Sequence, residues 1–104
     1  MQNNNVARLI DHTALKPDAT TPEIEQMCSE AREFGFASVC VNPVHIETAS
    51  KELAGSGIAV CAVIGFPLGA SSRETKAFET INALKAGATE FDMVLQVWAL
   101  KEKK

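Results

Sequence analysis

The chain has 104 residues, 46% of them hydrophobic and 22% charged, and a formal net charge of −3. That length predicts one domain, residues 1–104, with a modest core, and the balance of residue types excludes a disordered chain. The acidic balance argues against a nucleic-acid partner and no run reaches the length of a membrane span, so neither partner is expected; the terminal KEKK reads as a solvated end.

The opening MQNNNVARLI lacks the basic start and apolar stretch of a signal peptide. Cys28, Cys40 and Cys61 show no CxxC spacing, so neither a disulfide framework nor a zinc site is predicted, and a cytoplasmic location is expected. The segment ARLIDHTAL reads as a short strand, or as a turn of helix running into one. In TTPEIEQMCSEAREFG, residues 20–35, apolar positions Ile24, Met27, Cys28, Ala31 and Phe34 make one helical face. Thr20 or Thr21 suits its cap, Pro22 its first turn and Gly35 its exit.

The apolar run FASVCVN predicts the next strand, and NPVHIETASKELAG, residues 42–55, a helix with a thin face of Ile46, Ala49 and Leu53. His45 is expected at its surface. IAVCAVIGFP predicts a third strand. In SSRETKAFETINALKAG, residues 71–87, Ser71 and Glu74 have capping-box spacing, and the buried face is expected at Ala77 or Phe78, Ile81 and Leu84. EFDMVLQVWAL predicts a fourth strand through residue 100. The order β-α-β-α-β-α-β, with strands apolar on both faces, predicts a parallel sheet covered by helices.

Ligands gather at the carboxyl ends of such strands. That rule selects DHTALKP, CVNP, GFPLGASS and DMVLQVW. Alternation on the fourth strand puts Asp92, Val94, Gln96 and Trp98 on an inner face and Phe91, Met93, Leu95 and Val97 against helices. Asp92 is then a general acid/base, a lysine's counter-ion, a structural ion pair or an acid simply exposed at a sheet end, and spacing alone favours the last two. Asp11 and His12 point opposite ways, so one site cannot easily use both. For His12 a satisfied polar role is favoured. Cys40, without a paired histidine, reads as a core cysteine, and GFPLG as a structural turn. Lys51, Lys76 and Lys85 fall on helices and are expected in solvent. Lys16 sits in a loop, so no lysine has the buried strand setting of a Schiff-base amine.

Taken together, LIDHTALKPDAT, GFASVCVNP, VCAVIGFPLGASSRETKAFE and LKAGATEFDMV closely resemble the N-terminal part of bacterial deoxyribose-phosphate aldolases. The resemblance runs from about Leu9 to Lys101. It implies a class I aldolase on a (β/α)8 TIM barrel, cleaving 2-deoxyribose 5-phosphate to glyceraldehyde 3-phosphate and acetaldehyde without a metal or other cofactor. It further implies that Asp92 is the proton-relay acid, that Asp11, Thr13 and Leu15 line the pocket from the first strand, and that Cys40 lies near the substrate.

A complete barrel of that kind takes roughly 250 residues. The KTSTG-type strand that carries the family's Schiff-base lysine is absent, as are the later loops that hold the phosphate. Where the family reads close to DMVINIGALKSG, this chain has Leu95, Gln96, Val97 and Trp98, with the tryptophan expected to crowd the pocket mouth. The expected molecule is therefore a half barrel of about four parallel strands and three helices, inactive alone. It would be completed by self-association as a homo-oligomer through its strand edges and an inner face that includes Leu95 and Trp98. The alternative is a non-catalytic self-assembling fragment or an engineered half-barrel scaffold.

Overall fold

The structure, a computed structural model, describes residues 4–102. In chain order these form α1 (Asn4–Ala7), β1 (Asp11–Ala14), α2 (Thr21–Phe34), β2 (Ser38–Val41) and a 3-10 turn (Pro43–His45). Then come α3 (Ile46–Glu52), β3 (Ala59–Ile64), α4 (Arg73–Ala86), β4 (Glu90–Met93) and α5 (Val97–Lys101). The strands make one parallel sheet in the order β1-β2-β3-β4. Half a barrel is present, with the three expected crossover helices and two short end helices.

The sheet separates two clusters of unequal size. Val39, Val41, Val60, Ala62 and Ile64 point outward and pack with Ile24, Met27, Cys28, Ala31, Ile46, Ala49 and Leu53 from the helices. Cys40, Cys61 and Val63 point inward and pack with Leu15. These inward residues are buried without a covering layer, so the middle of the inner face is not the exposed apolar surface that a half barrel suggests.

Helix α2 forms as its sequence predicts. Thr20 accepts a hydrogen bond from the Glu23 amide, and the Gly35 amide closes the last turn on the Ala31 carbonyl. Phe34 departs from the expected face: it stacks beside Phe36 at 5.8 Å and stays partly exposed. The second predicted helix opens as a 3-10 turn, which leaves His45 half-buried rather than on the surface.

Helix α4 overturns two expectations. Ser72, not Ser71, is the cap, accepting from the Thr75 amide at 3.1 Å. The helix also turns the opposite face to the sheet: Lys76 and Ala83 are buried, whereas Phe78 is 66%, Ile81 52% and Leu84 60% exposed. A crossover helix inside a closed barrel has neighbours on both flanks. Here α3 supplies one flank, and the large apolar residues lie on the side that nothing covers.

The fourth strand ends at Met93, seven residues before the predicted end. Its ladder partner β3 stops at Ile64, where Gly65 turns the chain with φ 65°. The Val94 amide still reaches the Ile64 carbonyl at 2.9 Å, and beyond it no partner carbonyl remains on that side. The chain therefore leaves the sheet and enters α5, which carries Trp98 away from the inner-face position that strand alternation assigned to it.

Candidate active site

The inward positions of the four strands lie side by side because the sheet is parallel and in register. Asp11 pairs with Ser38, Thr13 with Cys40, Cys40 with Cys61 and Val63 with Asp92. The Ser38 hydroxyl donates to Asp11 Oδ1. Thr13 Oγ1 donates to the Asp11 carbonyl at 3.1 Å. Leu15, half-buried, closes the apolar end of the same face. Asp92 Oδ2 accepts from Cys40 Sγ across 3.9 Å.

All five residues expected at the pocket, Asp11, Thr13, Leu15, Cys40 and Asp92, therefore share one face. His12 points the other way: its Nε2 pairs with Glu30 Oε1 at 2.9 Å and its ring meets Phe36 edge-on at 5.2 Å. The opposite orientation of adjacent strand residues decides this split.

Electrostatics set the state of the thiols. Burial pushes the Cys40 thiol above its ordinary value, and the carboxylates of Asp11 and Asp92 add to this; a hydrogen bond with Cys61 pulls the other way. Burial raises the Cys61 thiol further, with Cys40 and Asp92 contributing. Both sulfurs are therefore neutral near neutral pH and neither is an activated nucleophile. Asp11 and Asp92 are the two exposed carboxylates on this face, and Asp92 is the one beside the buried thiols.

Two residues escaped the sequence reading. Cys61 is the register partner of Cys40, a relation visible only once SVCV and AVCAVI are aligned as adjacent parallel strands. Lys76, expected in solvent, is 4% exposed, and its Nζ donates to the Val94 carbonyl at 2.8 Å. Its stem lies against Gly65, where an added Cβ would sit 2.9 Å from Lys76 Cε. The helical period of α4, taken from its large apolar residues, points to the wrong face and hides this. Beside Lys76 runs a groove lined by Arg73, Leu95, Gln96 and Leu100, so Leu95 lies there rather than on the inner face.

The loop GFPLG closes over the same end of the sheet. Gly69 has φ 67°, and an added Cβ would run into the Leu95 carbonyl and Val94 Cγ1. Only glycine permits both that backbone conformation and that close approach. The loop and the turn after β4 therefore hold each other at the carboxyl end of β3 and β4.

No protein-family model matches the chain. A deoxyribose-phosphate aldolase of Geobacillus sp. (strain WCH70) is 59% identical over 99 residues, which cover 95% of this chain and 44% of that protein. One from Thermoanaerobacter sp. (strain X514) is 57% identical over 97 residues, with 93% and 44% covered. A solved structure from Coccidioides immitis, described as a deoxyribose-phosphate aldolase, superposes with a TM-score of 0.95 at 40% identity over 100% of this chain and 41% of its own. A tetrameric deoxyribose phosphate aldolase from Aeropyrum pernix gives 0.86 at 37% identity, over 91% and 41%. The chain thus spans less than half the length of the relatives it matches.

Proposed function

Because the chain carries the N-terminal half of the deoxyribose-phosphate aldolase sequence and fold, we propose that it supplies one half of a class I aldolase site and is inactive until the other half is present. Asp92 serves as the proton-relay acid. Asp11, Thr13, Leu15 and Cys40 form the pocket wall for a 2-deoxyribose 5-phosphate-like substrate. The observation that carries this reading is the convergence of those five residues on one face, with the Asp92 carboxylate open to solvent.

Amine catalysis needs a lysine that can reach the carbonyl carbon with a free electron pair. Lys16, Lys51, Lys85 and Lys101 are exposed. Lys76 is buried and directed at a backbone carbonyl. Among the described residues none of these forms an ion pair with Asp92, which supports the expectation that the chain alone does not cleave sugar phosphates. Three cysteines, all free, suit a reducing compartment, and a cytoplasmic location is part of the proposal. Among the described residues no helix is long and apolar enough to cross a membrane.

The test is complementation. The chain is co-expressed with the remaining C-terminal part of the Geobacillus relative, and retro-aldol turnover and borohydride trapping are measured. Neither is expected for the chain alone, both are expected for the assembled pair, and Asp92→Asn in this chain should abolish turnover. A soluble pair without turnover, or one indifferent to Asp92→Asn, would sink the reading.

A second reading has its own support. Phe78, Ile81 and Leu84 form an exposed apolar row on α4, and Met93 at the end of β4, Leu95 in the turn after it and Val97 and Leu100 on α5 are also exposed. A surface of that kind marks an interface. In the absence of a completing segment, a second copy of the chain covers it.

A further inference from the structure

The inner face also brings together a ligand set that the sequence conceals. Cys40 Sγ, Cys61 Sγ and a carboxylate oxygen of Asp92 lie within 4.8 Å of one another. We propose that these three residues form a binding site for a thiophilic divalent cation of the zinc class.

The donors come from three successive strands, β2, β3 and β4, whose registers are fixed by the parallel ladder. They therefore do not depend on a flexible loop to meet. A tetrahedral zinc ion, with Zn–S about 2.3 Å and Zn–O about 2.0–2.2 Å, holds its ligand atoms roughly 3.5–3.8 Å apart. Cys40 Sγ and Asp92 Oδ2 already stand at 3.9 Å, so side-chain rotation suffices to close the shell. The two thiols are buried while the carboxylate is exposed. An ion therefore enters from the open inner side and keeps a fourth position there for water.

The field at the site also suits a cation. Asp11 and Asp92 lie on this same face of the sheet, and neither is paired with a lysine or arginine among the described residues. Binding displaces the two thiol protons to solvent, and the resulting two thiolates and carboxylate select soft d10 cations over magnesium or calcium. The inference rests on strand register and not on the aldolase reading: a bound ion takes up Asp92 and Cys40, so metal and sugar phosphate are mutually exclusive occupants of this face, and the test needs no turnover.

The reduced 104-residue chain is titrated with cobalt(II), then with zinc and with magnesium. One cobalt per chain should bind, with a sulfur-to-cobalt charge-transfer band that zinc removes and magnesium does not. Cys40→Ser and Cys61→Ser should each lose that band, whereas Cys28→Ser should keep it, since Cys28 packs on the helical side of the sheet. Asp92→Asn should weaken binding by no less than the roughly tenfold that losing a supporting contact to a ligand costs. X-ray absorption on the unmutated zinc-loaded chain should show two sulfur neighbours, a readout independent of whether any variant folds. The absence of a saturable cobalt complex, a metal shell without sulfur, or a band that survives in a folded Cys40→Ser or Cys61→Ser variant would overturn the proposal.

Discussion

The ammonium of Lys76, on α4, donates to the carbonyl of Val94, just beyond β4, at 2.8 Å. This buried bond ties the last crossover helix to the turn that ends the sheet. Lys76→Met keeps the stem that packs on Gly65 and removes the donor. A hydrogen bond from a charged donor contributes about 1.5–3 kcal/mol, and the ammonium's own desolvation offsets part of it. The expected result is a loss of about 1–2 kcal/mol in urea unfolding, read as a lower midpoint at unchanged slope. Unchanged or increased stability would mean that desolvation outweighs the bond.

Gly69 meets the same turn from the other side. Gly69→Ala forces a side chain into left-handed backbone and against the Leu95 carbonyl, and should cost more than Gly57→Ala. Gly57 has φ 77° but open space around it, so it isolates the backbone strain. That strain is of the order of 1 kcal/mol, and the excess at Gly69 measures the close approach. Equal midpoints for the two variants in chemical denaturation would show that the loop can move away freely.

A pH effect is expected from Glu30. The hydrogen bond from His12, followed by that from Gln26, holds its carboxyl below the ordinary 4.5. A depressed folded value means that the stabilisation is present above pH 4.5 and is lost as the pH falls through the lower folded value. Thermal unfolding of Glu30→Gln should therefore show a shallower fall between neutral pH and strongly acidic pH than the unmutated chain. Parallel curves would remove Glu30 from the acid response.

The half barrel was legible because its signals are local and periodic: the cap of α2, the valine-rich runs of β2 and β3, and the placement of Asp92 opposite Phe91. What failed depended on partners absent from the local sequence. The length of β4 is set by where β3 stops at Gly65, and the direction α4 faces is set by which neighbours exist. The face of α4 was assigned from Phe78, Ile81 and Leu84 because large apolar residues usually mark the core. In this chain that row faces outward, and the sheet receives Lys76 and Ala83 instead. Cys61 was missed for a related reason, since strand register is a property of two segments together.

The exposed row on α4 gives the last prediction. If a second copy covers it, Phe78→Glu combined with Ile81→Lys should reduce the mass measured by light scattering toward that of a single chain. Both side chains are more than half exposed, so each substitution should change monomer stability by less than about 0.5 kcal/mol. Trp98→Gly tests the competing location, because Trp98 is 52% exposed on α5. It should lower the mass less than the α4 pair does. A larger effect from Trp98→Gly would move the interface from the flank of α4 to the end of the chain. An unchanged mass in both variants would remove apolar self-association from the molecule's repertoire and leave the uncovered flank to the missing half of the barrel.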